Sequence, residues 1–139
     1  MKHFKIAEFC KSATADRMGI KIVPNAEETK ALEALVANVL DPLREKLGKP
    51  VNVTSGLRPK KVNIAVGGTG TSQHVKGEAA DIQVKGMTPI ELCRFIVAAG
   101  LPFDQLIEEG TWTHVSFGPR NRRQVLTMRN GKYTEGLRP

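Results

Sequence analysis

Leu32, Leu35, Val36, Val39, Leu40, Leu43 and Leu47 recur at helical spacing and predict one long helix over residues 25–47 with a single apolar stripe. Asn25 caps its first turn with Glu28 reaching back, and Gly48 followed by Pro50 stops it. Pro42 lies inside and predicts a kink or a split, because its ring removes a backbone donor. A second, shorter helix is bounded by Thr88, Pro89 and Glu91 at its N-cap, N1 and N3 positions, by a Met87–Leu92 hydrophobic staple, and by Gly100 as its stop.

The rest reads as strand and loop. VNVTSG (51–56), AADIQV (79–84), FDQLIE (103–108) and TWTHVSF (111–117) are short segments rich in β-branched or aromatic residues. QVLTMRNGKY (124–133) carries Asn130-Gly131, the favoured type I′ hairpin turn, inside a basic C-terminal segment over 119–139. The expected fold class is α+β, a small antiparallel sheet flanked by helices, and 139 residues are enough for one domain. Between Leu57 and Gln73 the spacing of Gly67, Gly68 and Gly70 predicts an ordered loop over a site. These glycines match neither phosphate-binding pattern.

With 40% hydrophobic and 25% charged residues the composition is that of a globular protein, neither a disordered tail nor a disulfide scaffold. No apolar run approaches the ~20 residues of a membrane-spanning helix. Lys5, Glu8 and Lys11 interrupt the N-terminus, so no secretory signal is expected; cytoplasmic synthesis is, with release by another protein or by lysis if the target lies outside. Cys10 and Cys93 supply no framework and are expected reduced and buried. The net charge of +7 resolves into flanks of +5 at residues 1–70 and 119–139 around a middle of −3. Such flanks favour any polyanion, whether nucleic acid, anionic lipid or anionic cell-wall polymer. A nucleic-acid partner is not expected, because the basic C-terminal segment interleaves only Tyr133 with its cations.

The chain has three histidines. His3 belongs to a terminus expected to fray. His74 and Asp81 lie seven residues apart, and zinc ligands must converge to within roughly 3–4 Å of one another, so the segment between them must turn back. Gly77 permits that turn, and the small Ala79-Ala80 lets the following strand press into the core with Asp81 on one face. His114 shares a strand face with Trp112 and Ser116, opposite Val115 and Phe117, which suits a cleft.

In order and spacing, SGLRP (55–59), VNIAVGG (62–68), SQHVKGEAAD (72–81), DQLIEE (104–109) and WTHVSF (112–117) resemble the zinc D-Ala-D-Ala carboxypeptidase family of peptidoglycan peptidases, which includes phage and prophage lytic enzymes and shares a hedgehog-like zinc fold. The resemblance covers roughly residues 5–120. It implies a Zn2+ held by His74, Asp81 and His114, with a fourth position open to water as in catalytic sites. It further implies Glu109 as general base, with Glu108 as the fallback, and Arg58 as the group that stabilises the oxyanion or holds a substrate carboxylate. Ser72 and Trp112 are expected to line the substrate pocket, or Ser72 and Gln73 to orient His74. The implied activity is hydrolysis of an amide in peptidoglycan peptides, as a carboxypeptidase or an endopeptidase, phage or prophage endolysins included. Carboxypeptidase members carry an acid three residues before the last histidine, where this chain has Thr111. That departure implies the alternative of a zinc-binding wall or phage module without catalysis.

Overall fold

The computed structural model describes residues 1–67 and 72–138. A 3₁₀ turn (Ile6–Phe9) and α1 (Ala13–Arg17) precede the long helical run, which forms as α2 (Ala26–Leu35), a π-helical turn (Val36–Leu40) and α3 (Asp41–Leu47). Asn25 and Glu28 make the reciprocal cap, and Gly48 ends the run in the left-handed region. Pro42 is accommodated through the π turn. The Asp41 N–H reaches back five residues to the Val36 carbonyl, and this widened turn lies just ahead of the residue that has no donor to offer. Leu32, Leu35, Val36, Val39, Leu40 and Leu43 are all fully buried.

Residues between Leu57 and Gln73 differ from the expected loop. Lys60–Ala65 form a helix, α4, too short to show a period and led in by Pro59, whose fixed φ suits a helix start. Gly67 lies at its end, whereas Gly68 and Gly70 lie outside the described residues. α5 (Pro89–Ala98) carries the Thr88–Glu91 capping box. No helix among the described residues is long and apolar enough to cross a membrane.

The strands are β1 (Asn52–Ser55), β2 (Ala79–Gln83), β3 (Gln105–Glu108), β4 (Thr113–Ser116), β5 (Gln124–Arg129) and β6 (Lys132–Glu135), in one sheet of order β1-β2-β4-β3-β5-β6. The pairings are antiparallel except β3 with β5, which is parallel. No long crossover is needed for that pair, because β4 has already returned the chain to the start of β3. The connecting segment is held tightly: Asn121 and Arg123 adopt positive φ, and the Arg122 and Arg123 N–H groups donate to the Asp104 carboxylate and the Phe103 carbonyl.

Strand alternation gives the sheet two unlike faces. Ala80, Ile82, Leu106 and Val115 belong to the main core together with the long helix and Leu92, Cys93 and Ile96 of α5. Asp81, His114, Ile107 and Leu126 point the other way, in register across β2, β4, β3 and β5. Two smaller expectations are corrected. His3 is not frayed, since the Lys2 and His3 N–H groups donate to the buried Asp41 carboxylate at 2.9 and 3.0 Å. Cys10 is only half-buried, while Cys93 is buried and both are free. Burial pushes the Cys93 thiol up to about 12.

Candidate metal centre

Asp81 and His114 are directly opposed on β2 and β4, so sheet pairing alone brings them together. His74 arrives from the turn ahead of β2. Gly77 makes that turn at a φ of 75°, and a Cβ there would lie 2.9 Å from the Glu28 carbonyl oxygen, so glycine is needed for both conformation and packing. Gly56 is equally constrained: a Cβ would come within 2.7 Å of the Phe9 backbone. Its carbonyl, held in place beside the Leu57 N–H to Phe9 carbonyl bond of 2.8 Å, accepts from His74 Nδ1 at 2.8 Å. That bond puts the His74 proton on Nδ1 and leaves the Nε2 lone pair facing Asp81 and His114. The His74 N–H donates to Ser72 Oγ at 3.2 Å, and the Arg58 N–H donates to the His74 carbonyl at 3.0 Å.

The three donor atoms form a nearly equilateral triangle. His74 Nε2 lies 3.2 Å from His114 Nδ1, and each lies 3.3 Å from Asp81 Oδ1. Donors held about 2.0–2.2 Å from a tetrahedral zinc stand about 3.3 Å apart, so the residues fit such an ion as they are. Asp81 Oδ1, one corner of the triangle, is buried without a hydrogen-bond partner, an arrangement that costs free energy unless something further binds there; His114 Nε2, the ring nitrogen outside the triangle, is also buried without one. Burial pushes the Asp81 carboxyl up, but its contacts with His114 and His74 outweigh burial and hold it below the ordinary carboxylate range. Two imidazoles and a carboxylate would also suit ferrous iron; the choice of zinc comes from the family described below.

The triad opens into a cleft on the sheet face away from the main core, lined on one side by Arg58, Ser72, Gln73 and α4 and on the other by Glu109 and Trp112. The Trp112 indole N–H donates to Glu109 Oε2 at 3.2 Å. Burial, reinforced by Asp81, raises the Glu109 pKa against the pull of His114, the Trp112 hydrogen bond and Arg58. Arg58 Nη2 stands 3.9 Å from Asp81 Oδ2, and its buried Nε has no partner. Burial lowers the Arg58 pKa, with Asp81 and Glu109 opposing. Glu108 does not enter the cleft. It is buried on the opposite face, where Arg129 pairs with it and the Gly110 N–H donates to it.

Two features escaped the sequence reading. Asp104 is a buried hub: Gln73 Nε2 donates to it at 2.6 Å and the Arg122 Nε at 2.7 Å, tying the turn that carries His74 to the loop before β5. Arg122 and Gln73 hold its carboxyl down at about 2. The second is an apolar floor beside the triad, Ile107 and Leu126; the parity shared by Gln105, Ile107 and Glu109 was the available signal for Ile107, whereas Leu126 joins it only through the β3–β5 pairing.

Two histidines and a carboxylate that could hold a metal ion, in a cleft shared with a glutamate and an arginine, make the donor set of a metallohydrolase-type centre. The description Peptidase M15 matches residues 2–116, which carry the triad, Arg58 and Glu109. The chain belongs to the Peptidase M15 family, whose members are zinc peptidases, and it is a metallopeptidase. No curated protein matches the sequence.

Proposed function

We propose that this protein is a zinc peptidase that hydrolyses an amide bond in peptidoglycan peptides, with His74, Asp81 and His114 as the metal ligands and Glu109 as the general base. The observation that carries the reading is the triangle of donor atoms, 3.2–3.3 Å on each edge, opening onto a cleft that also holds Glu109 and Arg58. Bound there, zinc supplies Lewis-acid polarisation of a carbonyl and a water made acidic enough to be deprotonated near neutrality. Glu109 takes the proton of the attacking water and returns it to the leaving amine, a role favoured by a carboxylate whose pKa burial has raised toward the working range. Trp112 fixes the direction of that carboxylate through its indole N–H. Arg58, permanently charged and with a spare buried N–H, stabilises the oxyanion or holds a substrate carboxylate. Ser72 orients His74 through the backbone and lines the pocket.

Thr111 is exposed and lies outside the cleft, so Glu109 supplies the carboxylate that the acid before the last histidine would have offered. That favours catalysis over the alternative of a zinc-binding module. Incubating zinc-loaded protein with defined muropeptides and weighing the products by mass spectrometry tests the proposal. Release of a terminal alanine or opening of a crosslink is expected, and its absence at full zinc occupancy would leave only the non-catalytic module. We further propose that the basic flanks hold the enzyme on anionic wall polymer after release from the cell, in the manner of an endolysin. Wall lysis that does not weaken as salt rises would refute this.

A further inference from the structure

The cleft is larger than trimming one terminal residue requires. Its volume of about 860 Å³ stands toward the top of the roughly 300–1,000 Å³ that encloses a drug-sized ligand, and its lining extends past the triad to Arg58 and Asn63 on one side and to Met128 and Tyr133 on the other. From His114 on β4 the same face runs over Ile107 on β3 and Leu126 and Met128 on β5 to Tyr133, opposite Met128 on β6. Strands are spaced about 4.8 Å apart, so β4 to β6 spans about 14 Å, the length of about four extended residues.

The hairpin side of the cleft has the chemistry of a subsite, with Tyr133 leaning close enough to Glu109 and Asp81 to feel their charge. Ile107 and Leu126 are buried yet stand apart from the main core cluster, so they form an apolar floor on the open face. Tyr133, the chain's one tyrosine, is left 58% exposed at its edge. Arg120 lines the same cleft, exposed and with no ion pair among the described residues, whereas Arg122 beside it is committed to Asp104. Leu126, Met128, Tyr133 and Arg120 all follow residue 116, where the family match ends.

We propose that the β5–β6 hairpin builds a subsite for the body of an extended acidic peptide, continuing from the metal triad away from Arg58. An apolar side chain rests on Leu126 and Met128 against Tyr133, and a neighbouring carboxylate pairs with Arg120. The protein then acts on residues within a peptide chain as well as at its end. This rests on the peptidase reading for what is cleaved, but the subsite is defined by binding.

Calorimetric titration of zinc-loaded Glu109→Gln protein with L-Ala-D-Glu-L-Lys-D-Ala-D-Ala and with D-Ala-D-Ala tests it. Adding Arg120→Ala, at an exposed position, is expected to weaken the pentapeptide by about fivefold to tenfold and leave the dipeptide within about twofold. Equal losses for both peptides, no loss for the pentapeptide, or no pentapeptide binding to the parent would overturn the subsite. Parallel assays with the unsubstituted enzyme separate the two readings: selective pentapeptide binding without cleavage of either peptide upholds the subsite and removes the peptidase.

Discussion

Glu108 and Glu109 are neighbours in sequence and sit in two different kinds of environment. Glu108 lies on the helix-covered face of the sheet, where its carboxylate is paired with Arg129 and a backbone N–H. Glu109 lies on the cleft face, among a triad and an arginine that leave Asp81 Oδ1, His114 Nε2 and Arg58 Nε buried without partners. On the first face the carboxylate has its partners, and on the second buried polar atoms lack them in the cleft proposed to take an ion and a substrate. The difference arises from strand alternation alone, since a shift of one residue would exchange the two glutamates.

The sharpest way to break this contrast is to remove a triad member. His74→Ala is expected to abolish stoichiometric zinc, measured by metal analysis, and to lower hydrolysis by at least about 10³-fold. Next in size, Glu109→Gln should retain zinc and lose about 10²–10⁴-fold in turnover, while Glu108→Gln should keep turnover within a few-fold and lose on the order of 1–3 kcal/mol in denaturant melts. Equal kinetic losses in the two variants would erase the distinction between the faces.

Local signals made much of this legible. The caps at Asn25 and Thr88, the stripe of the long helix and the Asn130-Gly131 hairpin are written in residues a few positions apart, and the structure contains each of them. Strand alternation assigned a face to Asp81 and to His114, and the resemblance alone put forward Glu109 over Glu108; the structure brings Asp81, His114 and Glu109 into one cleft. What stayed hidden depends on distant partners: the parallel β3–β5 pair, the Asp104 hub joining residues 73, 104 and 122, and the Trp112 hydrogen bond to Glu109. α4 was missed for a different reason, since six residues between a proline and a glycine tract are too few to display a period.

Asp104 gives a smaller, pH-dependent test. Its folded pKa of about 2 lies below the ordinary value of 3.8, so its interactions stabilise the fold fully above about pH 4 and are lost as pH falls toward 2. On the order of 2 kcal/mol should disappear over that window, and Asp104→Asn should flatten it in acid-unfolding curves. Smallest of all is a spectroscopic change. Trp112 is the chain's one tryptophan, so its fluorescence in metal-free protein should follow Glu109 and titrate above the ordinary glutamate value of 4.5. Glu109→Gln should remove that titration. Because this pKa is raised, ionising Glu109 costs stability as pH rises through it, opposite in sign to Asp104.

Gly56, whose carbonyl orients His74, packs its Cα against the backbone of Phe9, with no room for so much as a methyl group between them. The opening turn of the chain is thereby an outer wall of the candidate metal centre, although it contributes none of the three donors. Shortening or loosening residues 4–9 would be felt as faster escape of the ion from a cavity whose own side chains are all intact.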